Sequence, residues 1–169
     1  MGEDVLMCEG EYAFRAIGVV HSPHDDPRDT PIQPAYARGI KGTVVLWPEY
    51  SEGLQDLDGF SHVYLFYYFH RSRQTKLVLK PYLEDRKRGV FATRAPHRPN
   101  KLGMSLVRLT AIEGNVLHIE DVDILNGTPL FDIKPYIERF ELRDRVESGW
   151  QEGVPDDVAQ ERGRRPGTE

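Results

Sequence analysis

Residues 89–105, GVFATRAPHRPNKLGMS, concentrate cationic and rigid side chains in one stretch. Arg94, Arg98 and Lys101 carry fixed charge, and His97 a titratable one. Pro96 and Pro99 lock φ and remove two backbone donors, whereas Asn100 and Gly103 can take positive φ where a tight turn needs it. A stiff basic loop can hold an anion with little ordering entropy to lose. The same composition also suits a surface loop whose prolines only limit fraying.

Residues 121–136, DVDILNGTPLFDIKPY, set Asp121, Asp123 and Asp132 among apolar neighbours. Two carboxylates at i and i+2 of a strand point to one face. Such a pair could hold a metal, work as acid and base, or seat a cation such as a sulfonium. Beside Asn126-Gly127 the same residues also suit turn capping, the commoner role. Residues 21–26, HSPHDD, offer two His and two Asp, but in an irregular Pro-rich loop with no remote Cys or His to complete a tetrahedron. No metal site is expected there. His70, in Tyr68-Phe69-His70-Arg71, is either a polar strand terminus or part of a ligand pocket. Cys8 lies in the N-terminal stretch, not where a nucleophile would be positioned, and one cysteine forms no internal disulfide, which fits a reducing compartment. No G-x-G-x-x-G, P-loop or G-x-S-x-G pattern occurs.

Charge is distributed unevenly. Between Arg71 and Lys101, ten basic residues oppose Glu84 and Asp85, leaving +8; with a net charge of -5, the rest carries -13. A local positive field on an acidic chain could attract a polyanion, and could equally be a solvated loop.

The elements that must position these residues are mostly strands. Residues 14–20, 41–47 and 61–69 carry the β-branched and aromatic content of strands. Residues 77–83 and 89–93 suggest two more strands, the first interrupted by Pro81. Residues 105–112 and 116–119 flank Gly114-Asn115 as a hairpin. Residues 124–133 hold the turn Asn126-Gly127-Thr128-Pro129, and residues 49–57 suggest a short helix ended by Gly59. From residue 151 onward the chain reads as a frayed polar tail. Many short strands at close spacing predict a mainly all-β fold, an antiparallel sandwich or barrel. Length suits one domain, drawn at residues 12–140 with 141–169 as a tail. The acidic N-terminus lacks a basic n-region, so no secretory signal is expected, and Leu6 occupies the Ser/Thr place that Gly2 myristoylation requires. No apolar run is long enough to cross a bilayer as a helix.

Residues 89–103 resemble the signature of the TsaA-like/TrmO family, roughly G-[IV]-F-[AS]-[TS]-R-[SA]-P-x-R-P-N-x-[IL]-G, at every specified place. IGVVHSP near Ile17, LDGFSHVYLFYYFH near Leu57 and DVDILNGTPLFDIKPY from Asp121 also look like family segments, so the resemblance runs over about residues 14–137. It implies a single-sheet antiparallel β-barrel with a few short helices that binds S-adenosylmethionine, and a cytoplasmic homodimer with the cofactor near the subunit interface. It further implies methyl transfer to N6 of threonylcarbamoyladenosine at position 37 of tRNA, next to the anticodon.

By the same resemblance, Gln33, Pro34, Ala35 and Tyr36 match a cofactor loop, although Ile32 and Ala35 replace the family's usual arginine and glycine. His70 and Arg71 match a second cofactor segment, Arg94 and Met104 a third, and Glu120, Asp121, Val122 and Asp123 a fourth. Arg86, Lys87, Arg88, Arg98 and Lys101 of the basic window would meet tRNA phosphates. Well-known bacterial relatives carry an additional C-terminal domain. The resemblance therefore also admits methylation of another nucleic acid or a small molecule, and a barrel that binds S-adenosylmethionine or RNA without catalysis.

Overall fold

The computed structural model describes residues 10–165. Gly2, Leu6, Cys8 and the acidic N-terminal stretch to residue 9 lie outside the described residues, as do residues 166–169 of the expected tail. The strands are β1 (Gly18–His21), β2 (Lys41–Leu46), β3 (His62–Tyr68), β4 (Val78–Leu79), β5 (Arg88–Gly89), β6 (Leu102–Glu113), β7 (Val116–Glu120) and β8 (Thr128–Pro135). Six of them close into an antiparallel barrel in the order β1-β2-β7-β6-β3-β8, while β4 and β5 form a separate ladder.

Period-two alternation explains the closure. In β3, Val63, Leu65 and Tyr67 are buried, while His62, Tyr64, Phe66 and Tyr68 are half-buried on the outer face. Opposite them in β6, Val107, Ser105 and Gly103 face inward. Val20, Val44, Leu117 and Leu130 complete an interior with no exposure at these positions. Burying each such Leu stabilises the fold by about 1.5–3 kcal/mol. Gly114, at φ 61, makes the two-residue β6–β7 turn with Asn115, as the hairpin reading expects.

Four local expectations are corrected. The helix expected over 49–57 is a 3-10 segment, Pro48–Leu54, followed by a second, Leu57–Gly59; left-handed Asp56 (φ 63) separates them. The strands expected over 77–83 and 89–93 shrink to β4 and β5, and Val90–Ala92 form a 3-10 turn. The first ladder begins at Gly18 rather than residue 14, where the exposed Phe14 ring stacks on Phe131 at 5.6 Å. Most of the expected frayed tail is ordered: Gly149–Gly153 form a 3-10 turn, and a helix spans Asp156–Arg164. Asp156 and Asp157 in its first turn and Arg162 and Arg164 in its last complement the helix dipole.

Direction within the barrel decides what meets what. β1, β3 and β7 end where β2, β6 and β8 begin. The connections 22–40, 69–101 and 121–127 therefore all gather at one end.

Candidate functional site

At that end the Gln33 loop meets the basic signature loop directly. Arg94 Nη1 donates to Gln33 Oε1 at 2.8 Å. Gln33 precedes the short 3-10 turn Pro34–Tyr36, whose Tyr36 N–H returns to the Gln33 carbonyl at 3.0 Å. The guanidinium of Arg94 is exposed, yet its charge acts downward on the pKa of Tyr64, Tyr67 and Asp123.

At the same end of the barrel a polar chain is buried. Ser105 Oγ donates to Asp123 Oδ1 at 2.6 Å. With that proton committed, Tyr67 donates its hydroxyl to Ser105 Oγ at 3.0 Å. Asp123 is 8% exposed. Burial pushes its carboxyl up to about 7, against the Ser105 hydrogen bond and the Arg94 charge. Burial, and then the Asp123 charge, likewise raise the Tyr67 phenol above its ordinary value. Sequence reasoning missed Tyr67 and Ser105. The available signal was a hydroxyl at inward places of two alternating strands, since buried polar groups need partners.

His70 follows β3 and is half-buried, with Nδ1 3.3 Å from Thr128 Oγ1. Burial, and then the neighbouring Arg71 charge, lower its pKa. Arg71 itself is exposed. Pro34 is half-buried and Ala35 exposed, while the Tyr36 ring packs over Gly163 of the C-terminal helix.

Met104 lies on the outer face of β6, opposite Phe66, and is 38% exposed. It lines an apolar groove of about 580 Å³ with Tyr64, Phe66, Pro135 and Phe140. The Arg94 charge acts weakly on Tyr64 as well as on Asp123.

The acidic segment divides. Asp121 takes a left-handed conformation (φ 66) just past β7, so strand alternation ends there and Asp121 and Asp123 do not share a strand face. Asp121 Oδ1 accepts the Gly39 N–H at 2.8 Å, a turn-capping role. Val122 is fully buried; its N–H donates to Ile40 O at 3.2 Å, and its carbonyl accepts His24 Nε2–H at 2.8 Å. Glu120 faces Arg108 across the ladder at 3.6 Å. Asp123 alone of the four reaches the buried chain. In the 21–26 loop, Asp26 is pulled down to about 2 by its pair with Arg28. Among the described residues no three His, Cys, Asp or Glu cluster as a metal set.

The basic residues also differ in role. Arg86 and Lys87 are exposed and form no ion pair among the described residues. Arg88 is bound to Glu84 by two hydrogen bonds of 2.7 Å and lies 5.8 Å from the Trp150 ring centroid. Arg98 Nη1 donates to the Val90 and Thr93 carbonyls at 3.0 and 2.7 Å, closing the signature loop on itself. Lys101 supplies that loop's positive φ (49°), the role expected of Asn100 and Gly103. Gly103 serves a different need: a Cβ there would lie 2.6 Å from Cζ of Tyr67.

Comparison with known proteins fits this arrangement. Residues 19–142 match the family profile of the tRNA-methyltransferase O N-terminal domain. A probable S-adenosyl-L-methionine-binding protein of Pyrococcus abyssi is 54% identical over 139 residues, 82% of this chain and 76% of that protein. A human tRNA (adenine(37)-N6)-methyltransferase is 35% identical over 146 residues, 81% of this chain but 33% of that protein. A crystal structure of TrmO from Pseudomonas aeruginosa superposes with a TM-score of 0.70 at 34% identity, covering 83% of this chain and 63% of that one. With closed barrel, signature loop and profile in agreement, the chain belongs to the tRNA-methyltransferase O N-terminal domain family.

Proposed function

We propose that this chain binds S-adenosylmethionine at the Arg94 end of the barrel and transfers its methyl group to N6 of threonylcarbamoyladenosine at position 37 of tRNA. The observation that carries this reading is the 2.8 Å bond from Arg94 to Gln33, which joins two of the proposed cofactor segments at the barrel end where Asp123 is buried. The names of the Pyrococcus and human relatives support the cofactor and the tRNA target respectively.

The residues present suit the group. S-adenosylmethionine supplies an electrophilic methyl on a sulfonium and also carries a carboxylate. Arg94 offers a guanidinium for the carboxylate through a charge-assisted pair. Asp123, whose carboxyl is pushed up to about 7 by burial, offers negative charge to the cationic part of the cofactor once it is deprotonated. Tyr36 and Met104 offer an aromatic and an apolar surface to a purine. In this reading the chain aligns nitrogen, methyl and sulfur, and orientation alone can supply about 7–11 kcal/mol of barrier reduction. Exposed Arg86 and Lys87 would receive tRNA phosphates, and a base in a single-stranded loop can splay out to be read. The chain would work in the cytoplasm as a homodimer, with the groove at Met104 on its outer face.

Incubating the protein with methyl-labelled cofactor and tRNA, followed by nucleoside mass spectrometry, tests the reading. Label in a methylated threonylcarbamoyladenosine is the expected result. Tight cofactor binding with no transfer to tRNA, total RNA or cell extract would instead favour a binding protein, the role in the Pyrococcus relative's name. Transfer to another acceptor would redirect the substrate alone.

A further inference from the structure

Residues 149–165 contact the proposed cofactor loop and the signature loop together. Their attachment to the first combines one backbone bond with side-chain contacts. Ile32 N–H donates to the Gly163 carbonyl at 3.0 Å. Gly163 is buried beneath Tyr36, and a Cβ there would lie 2.5 Å from Cδ2 of that ring. The Arg165 guanidinium donates to the Pro27 carbonyl and, at 3.5 Å, to the Thr30 carbonyl. It also lies over Tyr82, 4.0 Å from the ring centroid, and bonds the Tyr82 hydroxyl.

Attachment to the second loop comes through Trp150, whose Nε1–H donates to the Ala92 carbonyl at 2.8 Å. Arg88 lies against the same indole, and Arg162 approaches Asp85 at 3.7 Å. Ala92 stands two residues before Arg94, and Ile32 one before Gln33. The segment therefore grips both partners of the Arg94–Gln33 bond from outside. The family profile ends at residue 142, so the segment that makes these contacts lies beyond the matched residues while its partners lie within them.

We propose that residues 149–165 form a strap that holds the Gln33 loop and the Arg94 loop in register for S-adenosylmethionine, with Gly163 and Arg165 as positioning residues. The inference rests on the reading of residues 33–36 and Arg94 as cofactor-binding. Neither positioning residue touches the cofactor. Each reduces the number of conformations the Gln33 loop must give up on binding. Apparent affinity scales with the fraction of protein whose loop is already in place.

The test compares full-length wild type with Gly163→Ala, which drives a methyl into Tyr36, and Arg165→Gln, which removes the cation at the Pro27 and Thr30 carbonyls. Cofactor affinity is read by calorimetry and the Ile32 and Tyr36 amides by hydrogen exchange. Both variants should exchange these amides faster and bind S-adenosylmethionine about tenfold more weakly, with the thermal midpoint of the barrel retained. Arg165→Lys, which keeps the cation, should recover part of the affinity. If Gly163→Ala does not fold, Arg165→Gln and Arg165→Lys decide. Wild-type affinity in the variants, or unchanged exchange, overturns the strap and leaves the cofactor reading standing. A wild-type protein that binds no S-adenosylmethionine overturns the cofactor reading and the strap with it.

Discussion

Ser105 Oγ–H donates a hydrogen bond to Asp123 Oδ1 at 2.6 Å, at the point where the barrel interior meets the loops of the site. The bond only partly offsets the cost of a buried carboxylate, because the Asp123 carboxyl is still pushed up to about 7 from 3.8. The folded state therefore holds a proton that the unfolded chain has released.

That difference fixes a pH dependence. A carboxyl with a raised folded pKa stabilises the fold fully below its unfolded value, and the contribution is lost as pH rises through the folded value. Stability should fall from about pH 4 to about pH 7 through Asp123, by on the order of 3–4 kcal/mol. His70, whose folded pKa is lowered, acts in the opposite sense as pH rises toward 6.5. Asp26, Glu84 and Asp85 have lowered values and lose stability only at more acidic pH. Urea unfolding of wild type and Asp123→Asn across this range isolates the Asp123 contribution. Parallel curves for the two proteins would refute it.

Gly103→Ala should destabilise the barrel by about 1–3 kcal/mol, since the new methyl meets the Tyr67 ring inside a packed core. The same change at exposed Gly89, with nothing within 4 Å of its Cβ position, should shift the denaturation midpoint little. Equal midpoints for the two variants would count against the packing.

Arg94→Ala removes an exposed side chain and one hydrogen bond to Gln33, so the fold should be retained. Cofactor affinity should drop by tenfold or more, as expected for losing a charge-assisted pair of about 1.5–3 kcal/mol. Unchanged calorimetric affinity rejects Arg94 as a ligand of the cofactor.

Charge reversal at Arg86 and Lys87 should weaken tRNA binding, reduce its salt slope by about one for every phosphate that is no longer neutralised, and leave cofactor affinity unchanged. Arg88 is a poor choice for that experiment, because its reversal would leave Glu84 facing a like charge and unseat Trp150. An unaltered salt slope in the double variant would place the tRNA surface elsewhere.

The barrel was legible because the aromatic and β-branched content of residues 61–69 and the Gly114-Asn115 turn are local signals. The contact of Gln33 with Arg94 was accessible only through resemblance, since loop contacts across the barrel mouth leave no period in the chain. The pairing of Asp121 with Asp123 failed on one dihedral angle, which turns the first carboxylate back to Gly39. The positive φ of the signature loop falls on Lys101, whereas Gly103, the obvious candidate, provides close approach to Tyr67. The C-terminal helix carries little hydrophobic signal, as its order comes from Tyr36, Tyr82 and the Ala92 carbonyl, all remote in sequence.

Closure of the six strands into a ring uses up the backbone donors and acceptors that an open sheet would present at its margins. Among the described residues, β4 and β5 pair only with each other, and the stretch of β6 from Leu102 to Val107 has no partner on its β7 side. A neighbour that added a strand would have to do so at those few positions; over the rest of the ring a second molecule meets side chains on the outer wall or the loops at the mouth.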